Sequence, residues 1–119
     1  RKVFIKHLKG PLFFGFTSEF QQLAKQIPRS ASTVIIRMDR MQYLDQSGLY
    51  TLEDVLIDLK NSGIEVLFVG LLEQPRYMME RVRLIPSLIS ENRIFIDFKA
   101  CTAYLKSNLD HTVDVSKEN

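Results

Sequence analysis

The 119 residues amount to one domain, carrying a net charge of +2 with 45% hydrophobic and 25% charged residues, the balance of an ordinary globular protein. A single cysteine, Cys101, excludes an internal disulfide and fits a reducing compartment, and no apolar run approaches the roughly 20 residues of a bilayer-spanning helix. The charge is uneven: residues 1–43 hold eight Lys/Arg and two Asp/Glu, giving +6, whereas residues 44–119 hold eight and twelve, giving −4.

The basic excess begins with Arg1, Lys2, Lys6 and Lys9. Such residues either face anionic headgroups, if the preceding chain is membrane-embedded, or form a solvated strand edge that discourages aggregation; the second is the simpler expectation. Starting on Arg1 rather than Met suggests a piece of a longer chain.

Val3-Phe4-Ile5-Lys6-His7-Leu8 reads as a first strand, Lys9-Gly10-Pro11 as a turn and Leu12-Phe13-Phe14 as the return strand of a hairpin. After Gly15, Thr17 or Ser18 can cap a helix to about Gln26, with Ser18 and Gln21 at capping-box spacing and Phe20, Leu23, Ala24 and Ile27 facing inward. Pro28 stops it. Residues 33–39, opening on Thr33-Val34-Ile35-Ile36, form a β-branched strand. Asp45-Gln46-Ser47-Gly48 then starts a helix over about 47–61, whose apolar face is Leu49, Leu52, Val55, Leu56 and Leu59, with Gly63 as its C-terminal cap.

Ile64 to Gly70 is another buried strand. Pro75 suits the first turn of a helix to about Arg83, with Met78, Met79 and Val82 inward, and Pro86 leaves 84–92 irregular or a short turn. Ile94-Phe95-Ile96 is the last strand. Asp97 caps a final helix over Phe98–Asn108, facing inward through Ala100, Ala103, Tyr104 and Ser107, and 110–119 is a polar, aperiodic tail. Alternating strands and helices predict an α/β fold with about four to five helices, right-handed crossovers and a mixed central sheet, the hairpin supplying its antiparallel member. In such sheets the loops after strand C-termini carry function, here 40–47, 71–74 and about 97.

The residues offer little for catalysis. His7 and His111 have no Cys or carboxylate at ligand spacing, Ser47 lacks a nucleophile-elbow context, and no phosphate-cradling Gly-rich loop is present. Glu53, Asp54 and Asp58 read as a hydrated acidic helix face, and Cys101 as packing. An enzyme, a metal site and a nucleic-acid partner are not expected. Ser47 and Asp45 both suit an N-cap, and phosphate on Ser47 would add about −1.5 to −2 charge at a helix N-terminus beside a carboxylate. Capping is the preferred reading. Arg40 and Arg76 sit after successive strands, so one sheet end could present both to an acidic partner surface or anion.

Leu44-Asp45-Gln46-Ser47-Gly48-Leu49, preceded by Val34-Ile35-Ile36-Arg37-Met38, resembles the signature of STAS domains, shared by sulfate transporters and anti-sigma factor antagonists. Gly10-Pro11-Leu12-Phe13-Phe14-Gly15, Leu49-Tyr50-Thr51-Leu52-Glu53, Gly63-Ile64 and Glu91-Asn92-Arg93-Ile94-Phe95 resemble its SulP anion-transporter branch. The likeness runs from about Val3 to Leu109, so residues 1–109 are expected to form the STAS domain. It implies a cytoplasmic regulatory and interaction domain that follows a membrane-spanning transport domain in the same chain and supports its folding, association and regulation. That membrane domain, a second copy in a homodimer and an acidic cytosolic protein are the implied partners, and no cofactor is implied. Ser47 aligns with the serine phosphorylated in the antagonist branch, but Gln46 stands where antagonists carry a second small residue. A freestanding antagonist-like phospho-switch and a nucleotide-binding module are the alternatives.

Overall fold

The protein, seen in a computed structural model, is described over residues 2–8, 17–28, 30–108 and 116–117. Its elements are β1 (Lys2–His7), α1 (Thr17–Gln26), β2 (Ala31–Arg37), α2 (Gln46–Asn61), β3 (Glu65–Val69), α3 (Glu73–Arg81), a single turn α4 (Leu84–Ser87), a 3-10 turn (Glu91–Arg93), β4 (Ile94–Phe95), α5 (Phe98–Asn108) and β5 (Ser116–Lys117).

The strands lie in the order β4-β3-β2-β1-β5, and every pairing among the described strands is parallel. From β1 to β4 the chain steps across the sheet in one direction. Right-handed crossovers taken in one direction put their helices on one face. Buried side chains of α1, α2, α3 and α4 accordingly share a single core cluster with Phe4, Val34, Ile36 and Phe68 of the strands. Reaching β5 requires stepping back, so α5 covers the opposite face, where Cys101 and Leu105 pack on Val3, Ile5, Ile35, Leu67 and Val69. The two apolar sets alternate along each strand as a period of two demands. Register keeps them aligned, with Phe4 beside Val34 and Val34 beside Val66.

The α/β class, the parallel core and the helix positions follow the sequence reading. The hairpin return expected at 12–14, and with it the antiparallel member of a mixed sheet, lies outside the described residues. So does Ser18's side chain, and with it the proposed capping box.

Several expectations need correction. Lys6 was read as a basic surface residue, yet it is only 6% exposed. It occupies the face of β1 that α1 to α4 cover, in register with Ile36, between Phe4 and Leu8, both of which are buried in that core. Val66 is half-buried rather than fully enclosed, Met78 is half-buried, and Val82 is exposed because α3 starts at Glu73 and ends at Arg81, leaving Val82 in the turn beyond it. The inward face of α5 is Cys101 and Leu105, with Phe98 and Tyr104 half-buried; Ala103 and Ser107 are exposed. Small residues suggested a close-packed face, but the larger apolar ones took it. Ile96 is 86% exposed, since β4 ends at Phe95. Within the polar tail, Ser116 and Lys117 pair with Phe4 and Ile5 rather than lying free of the sheet.

Cys101 is buried, and burial, followed by the nearby Glu65 carboxylate, pushes its thiol up to about 11. Glu65 also joins β3 to the two elements beside it. Its Oε2 accepts from Arg93 Nε and from Tyr104 Oη, each at 2.8 Å. The Glu65 hydrogen bond holds the Arg93 guanidinium above its usual value; for Tyr104, desolvation leads and the same carboxylate adds to the upward shift.

Candidate functional site

The C-terminal ends of β1, β2 and β3 lie together at one end of the sheet, as parallel pairing requires. The segment between β2 and α2 crosses that end. Met38, Met41 and Leu44, three residues apart, are buried in the helix-side core, while Asp39, Arg40, Gln42 and Tyr43 between them are exposed. Met38 donates its N–H to Val69 at 2.8 Å, extending the sheet by one bond, and Met41 closes a turn on the Met38 carbonyl at 3.0 Å.

Gly70, with φ +73°, ends β3 against this turn. A Cβ at Gly70 would lie 2.9 Å from the Asp39 Cβ, so glycine is what allows the two loops to meet. A second clamp comes from α3. The Gln74 side-chain amide pairs with the backbone of Leu44, accepting its N–H at 2.7 Å and donating to its carbonyl at 3.1 Å. Loop 38–45 is thus bound to β3 on one side and to α3 on the other.

Asp45 is the N-cap of α2. Its backbone is extended (φ −85°, ψ 173°), and Oδ1 accepts the Gly48 N–H at 2.7 Å. Gly48 is buried and Leu49 points into the core, which fixes the direction of the helix. Gln46 is exposed and donates from Nε2 to Tyr50 Oη at 2.8 Å. Ser47, also exposed, accepts Thr51 Oγ1 on its backbone carbonyl at 3.0 Å. Its own hydroxyl makes no hydrogen bond among the described residues. The capping expected of both Asp45 and Ser47 therefore falls to Asp45 alone, because Ser47 is the second helical residue and not the flanking one. Asp45→Ala should lower unfolding free energy by about 1 kcal/mol, and Ser47→Ala by no more than about 0.5 kcal/mol. Urea denaturation of the two variants checks this; equal losses would return Ser47 to a capping role.

The two arginines part company. Arg40 is exposed in the turn after β2 and has no ion pair among the described residues. Arg76 is committed within the fold: its Nη1 lies 2.7 Å from Glu91 Oε1 and 3.6 Å from Glu80 Oε2. A joint cationic group of Arg40 and Arg76 is thus reduced to Arg40, since two carboxylates already answer Arg76. At the third loop, Asp97 Oδ1 accepts the Ala100 N–H at 2.8 Å, capping α5 as expected. The sequence reading missed Gln74. Nothing in its local pattern marks it, as its partner is 30 residues away. Gly70 was legible as a strand-ending glycine, though not its contact with Asp39.

No helix among the described residues is long and apolar enough to cross a membrane. Residues 1–100 match the STAS domain family. A putative sulfate transporter, YvdB of Bacillus subtilis, is 27% identical over 78 residues, which is 65% of this chain but 15% of the transporter's length. Among solved structures, a sulfate transporter family protein from Wolinella succinogenes superposes with a TM-score of 0.78 at 25% identity, covering 92% of this chain and 88% of that one. The STAS domain of a SulP transporter from Vibrio cholerae gives 0.71 at 24% identity, covering 90% and 84%. The murine anion transporter solute carrier 26 family member A9 shares the fold, with a TM-score of 0.69 at 15% identity over 87% of this chain and 18% of that one. By the family match over most of its length, this chain belongs to the STAS domain family.

Proposed function

We propose that this chain is the cytoplasmic regulatory and interaction domain of a SulP-type inorganic anion transporter, joined to a membrane-spanning domain that does the translocating. The observation that carries this reading is the family match over residues 1–100, with a STAS domain of a SulP transporter superposing over nine-tenths of the chain. Anion translocation belongs to the membrane part in this reading, and the domain performs no catalysis. Sulfate is the substrate class the relatives' names suggest.

The loop pinned by Gly70 and Gln74 supplies the contact surface. Its backbone is held at both sides, so its exposed residues meet a partner with little ordering cost. Arg40 then steers an acidic surface, either of the membrane domain or of a cytosolic protein, affecting association rate more than intrinsic affinity. Arg40→Glu in the full-length transporter should lower uptake of labelled sulfate several-fold, while circular dichroism of the variant domain stays unchanged. Unaltered uptake with a folded variant overturns the role given to Arg40.

A second reading, a phospho-switch at Ser47, is favoured by one observation: the hydroxyl is exposed, makes no hydrogen bond among the described residues, and lies in the first turn of α2. Phosphate there would meet the positive end of the helix but also the Asp45 carboxylate. Mass spectrometry of protein from its native host decides it, with stoichiometric phosphate on Ser47 favouring the switch.

A further inference from the structure

The helical layer leaves one part of the sheet uncovered, the start of β3. Val34 and Val66 are register partners on the same face, yet Val34 is fully buried and Val66 only half-buried. The cause lies in the segments around it. Helix α2 ends at Asn61, and the chain leaves it through the left-handed Gly63. After α3 only the single turn α4 follows, broken by the non-helical backbone of Ile85 (φ −100°, ψ 121°). Leu84, Ile85 and Ile89 reach the core from there, while Leu88 stays half-buried. What remains open is a cleft of about 330 Å³, at the opposite end of β3 from loop 38–45.

The inner wall of the cleft is apolar, formed by Leu56, Ile64, Val66 and Leu88. Its polar lining consists mostly of donors. Lys60, in the last turn of α2, and Ser87, in α4, are exposed, and neither side chain makes a hydrogen bond or ion pair among the described residues. Arg93 is held in place, with Nε on Glu65 Oε2 at 2.8 Å and Nη1 on Ser90 Oγ at 3.2 Å, and its five-hydrogen guanidinium has donors beyond these. Glu65 is the one carboxylate among the described lining residues, and its Oε2 is already answered by Arg93 and Tyr104. Two cations against one carboxylate leave the cleft at +1.

We propose that this cleft binds a small aliphatic monocarboxylate, its tail lying on Leu56, Ile64, Val66 and Leu88 and its carboxylate met by Lys60, Ser87 and Arg93. One negative charge balances the cleft, whereas a dianion would overshoot it. An uncharged chain would fill the wall but leave the donors unmet. The planar pair of carboxylate oxygens suits a guanidinium that its neighbours already fix. A cleft near the lower limit of small-molecule sites takes a short chain. The inference goes beyond the transporter reading and does not depend on it, since it uses neither loop 38–45 nor Ser47.

Titration of the isotope-labelled 119-residue chain with hexanoate, followed through backbone amide chemical shifts, tests it. Saturable shifts should cluster at residues 60–66 and 87–93, with a dissociation constant on the order of 1 mM. Hexan-1-ol has the same tail without the charge, and inorganic phosphate has charge without a tail; each should bind about tenfold more weakly or not at all. Lys60→Glu should weaken hexanoate about tenfold or more, and the amide spectrum itself reports whether the variant is folded. If that reversal disturbs the fold, Lys60→Gln should weaken binding about threefold instead. No saturable shift up to about 20 mM hexanoate overturns the proposal. So do shifts centred on loop 38–45, equal binding of hexan-1-ol or phosphate, or hexanoate binding indifferent to Lys60 in a folded variant.

Discussion

Leu52→Ala should lower the unfolding free energy by about 2–5 kcal/mol, measured by urea denaturation with an unchanged slope. Leu52 lies mid-way along α2, is fully buried, and belongs to the cluster that joins all four helices of that layer to β1, β2 and β3. Truncation removes three carbons from contact with that core. The cavity left is ringed by elements already fixed by sheet register, so collapse recovers little of the loss. A cost below about 1 kcal/mol would mean that Leu52 does not face the core, which would contradict the placement of α2 and the loop before it.

Gly70→Ala is the second large effect, at about 2–4 kcal/mol. Two penalties add there. The backbone sits at φ +73°, a left-handed conformation that costs a residue with a Cβ about 1 kcal/mol. The new Cβ would also meet the Asp39 Cβ at 2.9 Å and its Cα at 3.4 Å, so the turn carrying Arg40 must shift. Gly63 separates the two penalties. It has nearly the same φ, +74°, but nothing within 4 Å of a Cβ. It follows α2 in a Schellman-type cap, with Ile64 N–H bonded to the Leu59 carbonyl at 2.9 Å and Gly63 N–H to that of Lys60 at 3.0 Å. Gly63→Ala should therefore cost only about 1 kcal/mol. Equal losses at the two glycines would remove the close approach of the β3 end to the β2 loop.

What the sequence made legible follows from where each signal is stored. Strands β2 and β3 and helix α2 carry their own periodicity, and Asp45 and Gly63 mark the helix ends chemically, so these were readable within windows of a dozen residues. The choice of face on α5 was not, because Cys101 and Leu105 point inward only relative to a sheet assembled from residues far earlier in the chain. Lys6 is a different case, since the signal that placed it was local. Its charge suggested solvent, whereas its parity with Phe4 and Leu8 on β1 placed it on the face that α1 to α4 cover. Within the site, Asp45 could be assigned because a cap acts three residues away. Gln74 and the commitment of Arg76 to Glu91 could not, since their partners lie 30 and 15 residues distant. Charge and position after successive strands paired Arg40 with Arg76; the ion pairs of Arg76 with Glu91 and Glu80 separated them.

The most direct test of the proposed regulatory role is uptake of labelled anions by the proposed full-length transporter, intact and with this domain excised, normalised to protein present in the membrane. Sulfate, bicarbonate and a dicarboxylate serve as the panel. The account predicts that the intact chain transports an inorganic anion, and that excision lowers the transport rate or the assembly of the membrane part while leaving the order of preference among the anions unchanged. Full transport at an unaltered rate without the domain, or a changed order of preference, would contradict it.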